Sequence, residues 1–317
     1  MQPKIFLHEH TDFPDLIRIV ADKKNIIPQL IEKDYWIMHC LHGLTEQGFD
    51  FELKGGTSLS KGFNIIHRFS EDIDIQINPA CCDIDVKTGK NQNKPAHIKS
   101  RKHFYDWLAK NIKILGITGV IRDTNFDDSR YRSGGIRLNY DSHFDTIEGI
   151  KESILLELGF DDTTPNEPID ISSWAYEEAS TSELSFADNR ATNIKCYHPG
   201  YTFVEKLQTI STKYRQQQED NDFPINFLRH YYDVYCLLAN DTVLAFIKTD
   251  EYHRRKKERF RQGDNLIIAE NEAFLLANAS TRKLYIDAYQ KSKSLYYQSQ
   301  PSLDEILKVI GEYIHIL

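Results

Sequence analysis

Residues 51–77 read FELKGGTSLSKGFNIIHRFSEDIDIQI, and the order of small, polar and apolar residues in them decides how the rest is read. Phe51-Glu52-Leu53 alternates apolar and polar side chains, the period of a short strand. Gly55 and Gly56 interrupt it and let the backbone approach a ligand with no Cβ in the way. Thr57 and Ser58 are suited to cap a helix starting there, whose free N–H groups would form an anion site. After that helix, Asp72-Ile73-Asp74-Ile75-Gln76-Ile77 alternates again, which puts Asp72 and Asp74 on one strand face. Two carboxylates beside a phosphate-cradling turn are what a two-metal phosphoryl-transfer site needs. The competing reading is a surface hairpin with solvated acids, because an Asp-x-Asp pair by itself is common.

Composition narrows the setting. A chain of 317 residues has room for one large domain or two modest ones. Its 40% hydrophobic and 27% charged residues match a soluble globular protein. No run is long and apolar enough to span a membrane, and MQPKIFLHEHTDF lacks the basic-then-apolar layout of a signal peptide. The five cysteines (Cys40, Cys81, Cys82, Cys196 and Cys236) show no metal-ligand spacing, so reduced thiols and a cytoplasmic location are expected. A formal charge of −8 argues against a generally basic nucleic-acid coat and leaves room for a local basic groove.

Outward from the opening stretch, residues 12–47 read as two helices, with Pro28 in a first turn and Ile31, Ile37, Leu41 and Leu44 on a core-facing stripe. Lys33 and Asp34, in EKDYW, read either as solvated charges near a helix start or as residues supporting the site, and are left unassigned. Lys61 falls one turn into the helix after the glycines, within reach of a triphosphate. Arg68 and Ser70 precede the acidic strand, placed to pair with its carboxylates or hold the loop. Residues 79–100 read as a polar loop, and its Asp83 and Asp85 repeat the acidic pattern without an upstream glycine turn. A helix is expected over 101–115, with Lys99, Arg101 and Lys102 near its start, followed by strands at 117–122, 135–140 and 153–158. In the last, ILLEL carries one acid in an apolar run. An unpaired buried charge costs several kcal/mol, so Glu157 needs a partner or a metal and is the candidate third carboxylate.

Residues 161–195 read as a connector, and helices follow from Tyr197 to the end. Phe203, Leu207 and Ile210 form one stripe of the first, with Lys206 and Lys213 on another. A polar break at 216–224 precedes a helix with Arg229 and Asp233 at i and i+4, which alone would be a surface pair. Residues 253–261, HRRKKERFR, read either as a phosphate-backbone contact or as a solvated face. Three more helices are expected near 265–278, 281–297 and 302–316.

The order Gly-Gly-Thr, spacer, Asp-x-Asp resembles the signature of DNA polymerase β-like nucleotidyltransferases, with the spacer between Thr57 and Asp72 at the long end of that pattern. More narrowly, GGTSLSK followed by RFSEDID resembles the AbiEii/AbiGii toxin family of nucleotidyltransferases. EKDYW, ILLELGF, PIDISSWAYEEAS, FVEKLQTISTKY and RHYYDVYCLL resemble later or flanking segments of that family, over roughly residues 30–240. The resemblance implies an α/β (α+β) fold: a mixed sheet with flanking helices over 1–195, and a C-terminal helical domain over 196–317 that completes a cleft. It implies that Lys206 and Asp233 join Asp72 and Asp74 in catalysis. Gly55, Gly56, Thr57, Ser58, Lys61, Arg68 and Ser70 would bind the nucleotide, and Asp72, Asp74 and Glu157 would hold two Mg²⁺ ions, Mn²⁺ being the alternative. The implied reaction moves NMP from an NTP to an RNA acceptor such as the tRNA 3′ end, in a toxin restrained by a cognate antitoxin. Nucleotidylation of a protein, or a non-catalytic nucleotide-binding module, are the rival expectations.

Overall fold

In the computed structural model, which describes residues 4–146, 152–220 and 225–317, seven strands form one mixed sheet. The chain divides into two units, Met1–Gly62 with Phe69–Tyr197, and Phe63–Arg68 with His198–Leu317. The short 63–68 piece thus leaves the opening stretch and joins the second unit, which no periodicity in the sequence announces.

The first unit begins with α1 (Phe13–Lys24) and α2 (Pro28–Glu46). Strand β1 (Phe51–Lys54) leads into a single helical turn, α3 (Gly55–Thr57), and a wider turn over Ser58–Gly62. The expected helix after the glycines is therefore only these two turns, and Thr57 and Ser58 lie inside it, not at its cap. The other strands are β2 (Asp72–Ile77), β3 (Ile117–Asp123), β4 (Ser133–Tyr140), β5 (Ile154–Gly159), β6 (Asn166–Ile171) and β7 (Ala191–Tyr197). Their order is β3-β4-β5-β2-β1-β7-β6, with β2 parallel to β5 and antiparallel to β1. Period-two burial makes the sheet two-faced: Ile73, Ile75 and Ile77 are buried with Ile154, Leu156 and Leu158, while Asp72, Asp74 and Gln76 remain half-exposed. Helix α4 (Pro95–Asn111) packs on the apolar face, where Gly134 makes room for the Tyr105 ring.

Two local expectations are corrected here. Helix α4 starts six residues before 101, at Pro95, so Arg101 lies within it and not at its N-terminus. Its buried guanidinium donates to the carbonyls of Lys87, Gln92 and Arg130, holding the 87–93 loop. The 161–195 region contains β6, α5 (Trp174–Ala179) and the start of β7; short, polar edge strands such as NEPIDI give almost no periodic signal.

The second unit comprises α6 (Pro199–Asp220), α7 (Arg229–Leu237), α8 (Asp241–Ile247), α9 (Asp250–Arg259), α10 (Glu272–Leu275), α11 (Ala279–Gln290) and α12 (Leu303–Tyr313). Helix α6 runs through 216–220 of the expected polar break, and 221–224 lie outside the described residues. The helix expected at 265–278 is only the short α10 and a preceding 3-10 turn, because Leu276 turns left-handed with φ of 43°. Side-chain caps from Asn240, Thr249, Asn278 and Ser302 start α8, α9, α11 and α12. Tyr231 and Tyr285 are buried in this unit's core, and the Tyr231 hydroxyl donates to the Ala273 carbonyl at 2.6 Å. Among the described residues no helix is long and apolar enough to cross a membrane.

Candidate active site

The acids of the first unit are organised by sheet register. Strands β2 and β5 pair in parallel with Asp74 opposite Glu157 and Asp72 opposite Leu155. Register partners on neighbouring strands share a face about 4.8 Å apart, and residues two apart along one strand are about 6.6 Å apart. Asp72, Asp74 and Glu157, all half-buried, therefore lie on one face. The glycine turn closes on the same carboxylates. Gly55 has φ of +72°, a conformation that a side chain disfavours, and a Cβ placed there would fall 2.0 Å from Asp74 Oδ2. The Thr57 hydroxyl donates to the Asp72 carbonyl at 2.7 Å, tying the turn to the first residue of β2. Gly56, Thr57 and Ser58 are buried around this contact.

Lys54 is a member of this face that the sequence reading passed over. It is the antiparallel partner of Asp74, and its Nζ lies 4.0 Å from Asp161 Oδ2. The signal was present: Phe51 and Leu53 point inward, so Glu52 and Lys54 share the outward face with the acids.

Among the described residues, no three His, Cys, Asp or Glu side chains are grouped closely enough to hold a metal ion. Mg²⁺ commonly takes one or two carboxylates together with substrate phosphates in place of an all-protein cage. Asp72, Asp74 and Glu157 present hard-oxygen donors on one face, beside a turn with no Cβ.

Beneath the turn lies a set of buried charges from α2, and the solvated reading of Lys33 and Asp34 is overturned. Both are buried, as is Glu32. The Asp34 carboxylate lies 2.9 Å from Lys61 Nζ and accepts from the Trp174 backbone N–H at 2.8 Å. Burial pushes its pKa up, against the pull of Lys61. Lys61, read from sequence as a triphosphate ligand, is held by Asp34 and lies 4.4 Å over the Trp174 ring. Lys33 Nζ reaches Glu71 Oε1 at 3.5 Å. Glu32 accepts from the Ser142 hydroxyl at 2.6 Å and the His143 N–H at 3.0 Å. Three consecutive charged residues thus anchor three separate segments: the loop after β4, the approach to β2, and the turn after β1 together with α5. Ser70 is half-buried in the approach to β2.

The second unit carries the other predicted residues. Asp233 is fully buried, and its carboxylate receives both Arg68 Nε at 2.6 Å and Arg68 Nη2 at 2.7 Å. Lys206 Nζ lies 3.0 Å from Asp233 Oδ2 and 3.2 Å from His230 Nδ1. Burial alone would raise the Asp233 carboxyl, but Arg68 and Lys206 hold it well below the usual carboxylate range. The geometry gives Arg68 a different partner from the one expected. Its guanidinium makes a two-pronged contact with Asp233 inside this unit. Asp233, read as an i, i+4 partner of Arg229 or as a residue that orients Lys206 or accepts a proton, faces both Lys206 and Arg68. The sequence-predicted set thus falls into two groups: Gly55, Gly56, Thr57, Ser58, Lys61, Ser70, Asp72, Asp74 and Glu157 in one unit, and Arg68, Lys206 and Asp233 in the other.

The basic segment on α9 resolves mostly into internal pairs. Arg254 bridges Glu251 and Glu258, Arg255 and Arg259 meet Glu205, and the buried Lys256 bonds the Leu317 carbonyl. Cations neutralised this way offer little to a phosphate backbone. The solvated-face reading is favoured.

With this geometry established, the comparisons with known proteins are informative. The family model described as "Nucleotidyl transferase AbiEii toxin, Type IV TA system" matches residues 44–309. No curated protein matches the chain. Among solved structures, it is similar to an antigenic nucleotidyltransferase-like protein from Paracoccidioides brasiliensis, at a TM-score of 0.32 and 10% identity, over 73% of this chain and 94% of that one.

Proposed function

The chain belongs to the AbiEii nucleotidyltransferase toxin family, and from that premise we propose that it transfers a nucleotide from an NTP to the 3′ end of an RNA such as tRNA. The observation that carries this reading is the pinning of Asp74, in register with Glu157, against the Cβ-less Gly55. A carboxylate set that close to a glycine turn places metal-ligand oxygens beside backbone that phosphates can approach.

In this reading Gly55 and Gly56 leave space for the triphosphate, and Thr57 fixes their turn to β2 through its bond to Asp72. Asp72, Asp74 and Glu157 would hold Mg²⁺, which when bound neutralises phosphate charge and favours in-line displacement of pyrophosphate. Lys61 acts as a brace under the turn, through Asp34 and Trp174. The family resemblance gives Lys206 the role of a cation for phosphoryl charge, and within its own unit Asp233, itself paired with Arg68, holds its ammonium. Asp233, held well below the usual carboxylate range by Arg68 and Lys206, is a charged carboxylate that orients the Lys206 ammonium. A toxin of this chemistry works with a cognate antitoxin that restrains it.

The test is incubation with each α-labelled NTP in the presence of purified tRNA or of RNA-free lysate protein. Wild-type protein is expected to label the RNA 3′ end, and Asp74→Asn to lose label by about 10³-fold or more, the order seen when a transition-state charge contact is removed. Label in protein alone refutes the RNA acceptor. Transfer that survives Asp74→Asn refutes the site.

A further inference from the structure

Lysine ammonium groups have three N–H bonds and rotate freely unless acceptors fix them. Lys206 on α6 faces two acceptors contributed by α7, Asp233 Oδ2 at 3.0 Å and His230 Nδ1 at 3.2 Å. His230 Nδ1 lies 3.7 Å from Asp233 Oδ2 and 3.2 Å from Lys206 Nζ, so the ammonium is the nearer of its two neighbours. An ammonium can only donate. A Nδ1 that accepts from this ammonium is the unprotonated nitrogen, with the ring proton on Nε2.

We infer that His230 is a positioning residue for Lys206: with Asp233 it fixes two of the three ammonium N–H bonds and leaves the third for an outside anion. This rests on the reading of Lys206 as the cation that meets phosphoryl charge. Asp233 alone would hold the charge without fixing its direction, because one acceptor leaves the ammonium free to swing about a single bond. Two acceptors on one helix, three residues apart, remove that freedom. Surroundings favour the neutral ring. Burial and the Lys206 ammonium lower the His230 pKa from 6.5 to about 4. The charged groups facing the ring are Lys206 on α6, Asp233 on its own helix and Arg68 from the 63–68 segment, two cations against one anion. The sequence carried a faint sign of this, a histidine three residues before the aspartate in RHYYD, with no period to distinguish it from a surface residue.

The decisive measurement is the ring ¹⁵N signals of His230 in the full chain, titrated in wild type and in Lys206→Met. The wild type is expected to show the Nε2–H tautomer with an unprotonated, hydrogen-bonded Nδ1 down to about pH 5. Lys206→Met is expected to shift the titration upward by about one unit or more. An Nδ1–H tautomer, or a titration unmoved by Lys206→Met, overturns the inference whether or not the protein transfers nucleotides. Kinetics supplies the second arm. His230→Phe is expected to lower kcat by about 10- to 100-fold with KM for NTP within about two-fold, while His230→Asn, whose Oδ1 stands in for Nδ1, restores most of it. Equal activity of His230→Phe and wild type also overturns it. Should wild type show no transfer at all, the functional reading falls, and the ¹⁵N titration still decides the contact between His230 and Lys206.

Discussion

Replacing Gly55 by alanine tests whether the glycine turn and the acidic strand form one unit. The substitution has two costs that the structure separates. The first is conformational: at φ of +72°, a Cβ disfavours the backbone by about 1–2 kcal/mol. The second is steric. The new Cβ would stand 2.0 Å from Asp74 Oδ2, 2.8 Å from Cγ and 3.0 Å from Cβ. Rotating the carboxylate relieves the first two contacts but not the third, so strand β2 must shift, at about 1–3 kcal/mol for such overpacking. The total is about 2–5 kcal/mol. Gly48 provides the control, since it has φ of +76° with nothing within 4 Å of an added Cβ. Gly48→Ala should therefore lose only the conformational part, about 1–2 kcal/mol. Urea unfolding of both variants isolates the steric difference, and Asp74→Ala in the Gly55→Ala background should recover part of it as a coupling of about 1 kcal/mol. In the labelling assay, Gly55→Ala should lose about 10²-fold, because Asp74 is displaced by something near 1 Å, and Gly48→Ala should retain activity. If the two variants unfold within about 0.5 kcal/mol of each other and label equally well, Asp74 is not held against the turn and the site as described is wrong.

Asp233→Asn removes the buried carboxylate charge that faces Arg68 and Lys206, and unfolding should show a loss of about 3–5 kcal/mol. Asp233→Leu combined with Arg68→Met should recover part of it, Lys206 still lacking its carboxylate acceptor; a double variant as unstable as the single would refute the ion pair as the source of the loss. Lys61→Met orphans the Asp34 carboxylate, whose burial already favours its protonated form. Its destabilisation should be larger at about pH 7 than at about pH 4, as compared by denaturant midpoints, because the orphaned group takes up a proton as pH falls. His39 is buried and neutral, with Nε2 bonded to the Leu115 carbonyl at 3.0 Å and Nδ1 3.1 Å from the Asn189 amide. Burial and then His8 lower its pKa from 6.5 to about 3. The unfolded chain binds this proton first, so His39's contribution is complete above about pH 6.5 and is lost on acidification toward about pH 3, at up to about 1.4 kcal/mol per pH unit. Stability measured by urea at stepped pH should fall through that window less steeply in His39→Gln; identical slopes would refute the assignment.

What could be read from the sequence and what could not divides along physical lines. Strands β1 and β2, the glycine break between them and the shared face of Asp72 and Asp74 were legible because a period of two and two consecutive glycines are local properties. Glu157 was legible for a related reason, one acid in an apolar run, although its pairing opposite Asp74 is a matter of register between strands some eighty residues apart. The edge strand β6 and its neighbour β7 gave no signal, since short strands with polar residues owe their order to the neighbours they pair with.

Charges were where sequence reasoning failed most, and for one reason. Whether a charged side chain is solvated or buried depends on a partner supplied from elsewhere in the chain. Glu32, Lys33 and Asp34 look like the wet start of a helix until residues 142–143, 71, 61 and 174 close around them. Arg68 sits four residues from Asp72 in the sequence and belongs with Asp233 in space, and the basic run on α9 is largely spent on Glu205, Glu251 and Glu258. The sequence by itself determined the acidic strand and the glycine turn before it, because each is written in the backbone preferences of neighbouring residues. Only the tertiary structure decided which charges anchor that turn, which ones hold Lys206, and that Asp74 lies where a Cβ on residue 55 would have to be.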